Sequence, residues 1–181
     1  RFADAFHPEL AFNKPYLHGR ELVYIAEAVA SGKISGDGIF TQRCHAFFEK
    51  RYGFRKALMT TSCTDALEMA ALLLNIREGD EVIVPAVSWS TTYSPWHQHG
   101  LRMRFVDVDP ATLNADPDAI EGAIGPRTRA ICAVNLLGNP NDFARLRAIA
   151  GRHGLVLVED NCESLGATYD GRQAGTFGAM R

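Results

Sequence analysis

Glu159-Asp160-Asn161-Cys162 follow directly on the apolar run Leu155-Val156-Leu157-Val158. Such a run reads as a buried strand, so the two acids fall where a sheet closes over its core. A buried carboxylate is costly unless a cation or several donors meet it, and the pattern raises the expectation of a cation. For Asp160 two readings stand. One is a helix cap or a surface salt bridge. The other is an anion paired with the protonated ring nitrogen of a cofactor, which keeps that nitrogen charged and deepens an electron sink. Thr61-Ser62-Cys63-Thr64 lies between a short apolar run and a helical pattern. Free N–H groups and the positive end of a helix favour a phosphate there, and a plain hydroxyl N-cap is the simpler alternative. Trp89, in Val87-Ser88-Trp89-Ser90, either caps a core or stacks on a flat ligand. A phosphate cradle, a flat stacker and a buried acid after successive strands together fit pyridoxal 5′-phosphate (PLP). The sequence has neither a Walker pattern nor G-x-G-x-x-G, which leaves the nucleotide loops of those classes unsupported.

These residues need elements to bring them together. Residues 19–31 place Leu22, Ile25, Ala26 and Val29 at helical spacing, closed by Gly32. Gly36 and Gly38 mark a turn, and Thr41 reads as the N-cap of a helix ending at Gly53. Residues 56–60 suit a strand, 64–75 a helix with Leu67, Ala70, Ala71 and Leu74 on one side, and 81–87 a buried strand. A helix over about 90–99, a strand at 102–108, a helix at 116–124, a strand at 129–135, a helix at 141–154 and a strand at 155–160 complete the alternation. Apolar strands separated by helices imply α/β architecture: three αβα layers around a mainly parallel sheet. Ligands of open α/β sheets bind beyond the carboxyl ends of the strands. The polar stretches TSCTDA, VSWSTT and EDNCES begin where strands stop.

Bulk properties narrow the function. The 181 residues carry a formal net charge of −2, which favours neither nucleic acid nor an anionic membrane. No apolar run reaches the roughly 18 residues that span a bilayer. The first residues lack a signal-peptide pattern, so a cytoplasmic protein is expected. Four scattered cysteines, Cys44, Cys63, Cys132 and Cys162, read as reduced thiols with no zinc spacing. His97 and His99 are two residues apart, do not share a helix face, and read as surface residues. The opening RFADAFHPEL shows no chemistry.

The stretches SGKISGDGIFTQRC, TTSCTDALEMAALLL, VPAVSWSTTYSP, VNLLGNPNDF and EDNCESLGATYDGRQAGTFG carry a resemblance. Nearly the whole chain is similar to the N-terminal part of the DegT/DnrJ/StrS family of sugar-nucleotide aminotransferases, fold-type-I PLP enzymes. The first two stretches resemble dTDP-4-amino-4,6-dideoxygalactose transaminases; the last three resemble a sister branch, GDP-4-keto-6-deoxymannose 3-dehydratase. The resemblance implies that Cys63 and Thr64 hold the cofactor phosphate, Trp89 stacks on the pyridine face and Asp160 pairs with the ring nitrogen. Cys63 replaces a glycine common in the family. Glu163 falls where many relatives carry a glutamine near the cofactor's phenolic oxygen, and it matches the dehydratase branch better. Asn135 and Asn139 flank a loop near the site without an assigned role. The implied cofactor is PLP, with its pyridoxamine form (PMP). The implied partners are a nucleotide-diphosphate sugar, glutamate as amino donor, and a second copy in a homodimer.

The family's reactive residue, a lysine in transaminases or a histidine in the dehydratase branch, follows the G-T-F-G segment shortly. Lys14, Lys33, Lys50 and Lys56 are the only lysines and all lie far upstream. No catalytic residue is therefore assigned within the chain, and the lysine or histidine is expected beyond Arg181. Residues 1–181 read as the N-terminal part of the PLP-binding large domain, incomplete and without the C-terminal small domain, hence inactive as a fragment. Three readings follow. The first is a sugar-nucleotide aminotransferase acting on a 4-keto-6-deoxyhexose in surface polysaccharide (O-antigen) or deoxysugar biosynthesis. The second is a 3-dehydratase-like lyase. The third is a non-catalytic relative that kept the fold.

Overall fold

The computed structural model describes residues 14–180. The opening RFADAFHPEL and Arg181 lie outside them. A four-stranded sheet forms the centre: β1 (Glu81–Pro85), β2 (Arg102–Val106), β3 (Thr128–Val134) and β4 (Val156–Asp160), in the order β2-β1-β3-β4. All its pairings are parallel. The α/β class with a mainly parallel sheet is thus as the sequence implies.

Alternation along the strands builds the two flanking layers. Val82, Val84, Ala130, Cys132 and Val158 face α3 (Cys63–Leu73) and α4 (Ser90–Gln98), packing on Leu67, Ala70, Ala71 and the fully buried Trp96. Ile83, Ile131, Ala133 and Leu157 face the other way, onto Ile120 of α5 (Pro117–Ala123) and onto Phe143, Leu146 and Ile149 of α6 (Phe143–His153). The caps are local chemistry. Asp116 and Asp142 accept from backbone N–H groups of their own helices, and Pro117 occupies the first turn of α5.

The N-terminal region departs from the sequence reading. α1 (Glu21–Ala30) and α2 (Ile39–Tyr52) form, but α2 starts at Ile39 with Gly38 as its N-cap, not at Thr41. Gly38 lies close under the carbonyl of Lys33, so a Cβ there would sit 3.2 Å from that oxygen. The expected strand at 56–60 is absent. Its backbone is met by side chains of α2 instead: Ala57 N–H donates to Glu49 Oε1 at 3.1 Å and Met59 N–H to His45 Nε2 at 2.8 Å. With those amides taken by side chains, no ladder forms. The spacing of α1 is amphipathic as expected, yet Leu22, Ile25 and Val29 are all exposed, and α1 meets α2 through an edge contact of Tyr24 on Phe40.

Two short elements escaped the sequence reading. Leu136–Gly138 is a 3-10 turn, and Thr168–Tyr169 (β5) pairs antiparallel with Arg172–Gln173 (β6). Asp170-Gly171, both at positive φ, make the hairpin turn. Asp-Gly between strand-forming residues was the available signal.

The exposed apolar stripe of α1 and the exposed Leu72 and Leu73 of α3 exceed the scattered apolar exposure of a stable monomer. These 181 residues purified alone are expected to self-associate and to lack one sharp unfolding transition. Light scattering and scanning calorimetry test this; a monomer with a single cooperative endotherm contradicts it.

Candidate active site

The strand order reverses at β1. The chain leaves β1 for β2 on one side, then crosses to β3 on the other. Polar loops therefore converge at the carboxyl ends of β1, β3 and β4, where open sheets place their ligands. A cleft opens there. Cys63 and Thr64 from α3, Trp89 after β1, and Asp160 and Glu163 at and after β4 all line it. The structure brings together every site residue singled out from the sequence.

Asp160 ends β4 and is 5% exposed. One carboxylate oxygen accepts from Thr92 Oγ1 at 2.9 Å, the other from Cys162 N–H at 3.2 Å and the Cys63 thiol at 3.5 Å. No cation is paired with it among the described residues, so the surface salt bridge does not hold. Thr92 is buried and stands 3.0 Å from Ser88 Oγ. Its only hydroxyl proton goes to Asp160, so Ser88 is the donor to Thr92. This Ser88-Thr92-Asp160 chain was not read from the sequence. VSWSTT showed hydroxyls after a strand, but only the turn of α4 aims Thr92 rather than Thr91 at the acid.

Glu159 corrects the expectation of a cation more sharply. Its carboxylate points to the opposite sheet face and accepts the backbone N–H groups of Gly175, Phe177 and Gly178. Several fixed donors replace the single positive charge.

Trp89 is the N-cap residue of α4 and is 74% exposed at the cleft rim. That excludes the core-capping alternative, whose place Trp96 takes. Ser62 caps α3 by accepting from Asp65 N–H at 3.1 Å. The plain N-cap reading is therefore correct for Ser62, while the next two amides, of Cys63 and Thr64, lie in the first helical turn without intrahelical partners and border the cleft. Thr61 hydrogen-bonds Asp65 from the same turn.

Glu163 is fixed by Leu137 N–H, which donates to Oε2 at 2.8 Å. Leu137 adopts φ 53°, ψ 25°, a left-handed conformation unusual for leucine. The loop bearing it is held by side-chain amides, of which Asn135 and Asn141 are buried. Asn135 donates to Asn161 Oδ1 at 2.7 Å and accepts from Asn141 N–H at 2.9 Å and Nδ2 at 2.8 Å. Asn139 Nδ2 donates to the Thr112 carbonyl at 2.8 Å. Asn135 and Asn139 thus shape the loop behind the cleft. His97 and His99 are exposed, and no metal-binding cluster exists among the described residues.

The cleft's charge suits a ligand of mixed character. Two carboxylates line it, and no lysine or arginine does. A positive group fits against Asp160, and an anion fits at the N-terminus of α3. A flat cationic ring bearing a phosphate matches both ends and the exposed indole. The Cys63 thiol is pushed up from 9.0 to about 12, first by burial, then by the charge of Asp160 and by Cys162. It stays protonated as a donor to Asp160.

The model of the DegT/DnrJ/EryC1/StrS aminotransferase family matches residues 15–181. GDP-4-keto-6-deoxy-D-mannose 3-dehydratase of Escherichia coli O55:H7 is 45% identical over 160 residues, covering 85% of this chain and 41% of the relative. The chain thus spans less than half the length of that relative. The solved structure of the E. coli enzyme with bound hydrated PLP superposes with a TM-score of 0.81 at 42% identity, over 92% of this chain and 45% of that one. An aminotransferase of Psychrobacter cryohalolentis superposes at 0.87 with 30% identity, over 92% of this chain and 42% of that one.

In the folded protein, iodoacetamide is expected to label the exposed Cys162 while sparing Cys63 at about pH 8, because thiolate is the nucleophile. The same shift sets a pH dependence. An unfolded thiol loses its proton near 9.0 and the folded one only at about 12, so stability is untouched by Cys63 below that window and falls as pH rises through it. Mass spectrometry of labelled peptides checks the first point; equal labelling of both cysteines contradicts it.

Proposed function

The chain belongs to the DegT/DnrJ/EryC1/StrS aminotransferase family, and from that premise we propose that it forms the cofactor-holding part of a PLP-dependent enzyme acting on a nucleotide-linked 4-keto-6-deoxyhexose. The observation that carries this is the buried carboxylate of Asp160, held by Thr92 and Cys162 on the floor of a cleft that Trp89 and the start of α3 share.

In this reading Asp160 accepts the ring N–H⁺ and keeps the proton on that nitrogen. Trp89 lies over one ring face and excludes water. The Cys63 and Thr64 amides, with the Thr64 hydroxyl, hold the phosphate. When bound, the cofactor supplies an electron sink for negative charge developing beside the sugar's keto carbon. Glu163 is the acceptor near the phenolic oxygen, oriented by Leu137 N–H. The proton-transferring lysine or histidine is assigned to sequence beyond Arg181, glutamate is the amino donor, and the full-length enzyme is a cytoplasmic homodimer serving polysaccharide or deoxysugar synthesis.

For the reaction we favour 3-dehydration. The identity to the E. coli dehydratase supports it, as does a carboxylate at position 163, where a transaminase-like site would carry an amide. This reverses the sequence-based ranking, which put transamination first. Transamination remains the second reading on the superposition with the Psychrobacter enzyme.

The test is full-length protein with PLP, glutamate and GDP-4-keto-6-deoxymannose. Dehydration yields a keto-sugar lacking one oxygen; transamination yields an amino group in place of the keto oxygen. Mass spectrometry separates the two. Asp160→Asn is expected to weaken PLP binding by about 10–100-fold, since a charged hydrogen bond becomes a neutral one. Absorbance titration reads this. Absence of any cofactor band in the parent protein sinks the proposal and leaves the non-catalytic relative.

A further inference from the structure

Glu159 takes no part in the cleft. Its side chain shares the α6 face of the sheet with Leu157, whereas Asp160 shares the α3 face with Val158. It is 2% exposed. Oε2 accepts from Gly175 N–H at 2.7 Å; Oε1 accepts from Phe177 N–H at 2.7 Å and from Gly178 N–H. A carboxylate that gathers three backbone donors fixes the path of the chain that bears them.

The surroundings leave that path little freedom. Phe177 stacks on Phe143 of α6 with ring centres 4.4 Å apart. A Cβ on Gly178 would lie 2.7 Å from the Leu157 carbonyl and 3.2 Å from Glu159 Cγ, so the chain passes β4 at a distance only glycine allows. Immediately afterwards the chain joins the free edge of β4. Ala179 N–H donates to the Leu157 carbonyl at 2.8 Å, and Glu159 N–H donates to the Met180 carbonyl at 2.9 Å. Val158 and Met180 form a parallel bridge. Being parallel to β4, the segment runs toward the sheet edge that carries Asp160.

We propose that Glu159 is a positioning residue: its carboxylate sets the register of residues 175–180 along β4, and with it the place at which the following chain reaches the cleft beside Asp160. A slip of one residue would turn every side chain of that added strand to the wrong sheet face. The inference rests on the functional reading above only for what the positioned chain does in turnover; the register clip stands on the hydrogen bonds alone.

The test uses the full-length protein and Glu159→Gln. One carboxylate oxygen becomes an NH₂ that faces backbone N–H donors, while every cleft residue is untouched. Amide hydrogen exchange over 175–180 is expected to speed up by about 10-fold or more. PLP affinity, read by absorbance titration, is expected to stay within about threefold, because no residue that would touch the cofactor is changed. With GDP-4-keto-6-deoxymannose as substrate, kcat is expected to fall by about 10–100-fold with little change in KM, the pattern of a misplaced reacting group. Gly178→Ala disturbs the same clip with the charge intact and is expected to give the same split; it decides the matter if Glu159→Gln fails to fold. Unchanged exchange at 175–180, or faster exchange with unchanged kcat, overturns the proposal. Failure of the parent protein to bind PLP overturns the functional reading instead, and the exchange comparison then decides for Glu159.

Discussion

Two neighbouring carboxylates are buried at the end of β4 and point to opposite faces of the sheet, and neither has a cation beside it among the described residues. Burial of an unpaired charge is prohibitive, so the structure around β4 is arranged to supply fixed dipoles. On one face these are the Thr92 hydroxyl, the Cys162 amide and the Cys63 thiol. On the other they are the backbone amides of Gly175, Phe177 and Gly178. Each set ties a different piece of chain to the same strand end. The first gathers α3, α4 and the loop after β4 into a cleft; the second fastens the segment that extends the sheet.

The two faces divide the labour because a strand alternates. Glu159 accepts three backbone N–H groups on the sheet face turned away from the cleft, where no ligand in the cleft can reach it. Asp160 is met by one hydroxyl, one amide and a weak thiol donor, which leaves acceptor capacity directed into the cleft. The topology makes this useful. With β1 and β3 adjacent and their connections leaving in opposite directions, the crevice at their carboxyl ends is open, and Trp89 and the α3 N-terminus reach it from separate connections.

Electrostatically the cleft is one-sided. Its acids favour a cation, and its anion-attracting features are helix starts, that of α3 among them. A zwitterionic flat ligand resolves that asymmetry better than a nucleotide phosphate alone. Glu163 adds an acceptor at the rim, and its anchor, Leu137, sits in a left-handed backbone conformation stabilised by the Asn135-Asn141-Asn161 amide lattice. The rim therefore depends on buried polar packing several residues from the residue it orients.

By itself the sequence determined the alternation of strands and helices from 63 onward and the polar strand exits, because periodicity and strand-end polarity are local signals; Glu163 was singled out through the family resemblance, and it lines one cleft with Cys63, Thr64, Trp89 and Asp160. It could not determine the state of 56–60, whose strand pattern lost to side-chain acceptors on α2, nor the start of α2, which Gly38 took from Thr41 through a close approach to Lys33. Tertiary structure alone decided what met the acids of β4. Donors for Asp160 come from residues 63, 92 and 162, and those for Glu159 from 175 to 178. Partners so far apart in the chain become neighbours only after the sheet has formed, so a reading along the chain sees a charge to be neutralised and not the dipoles that do it.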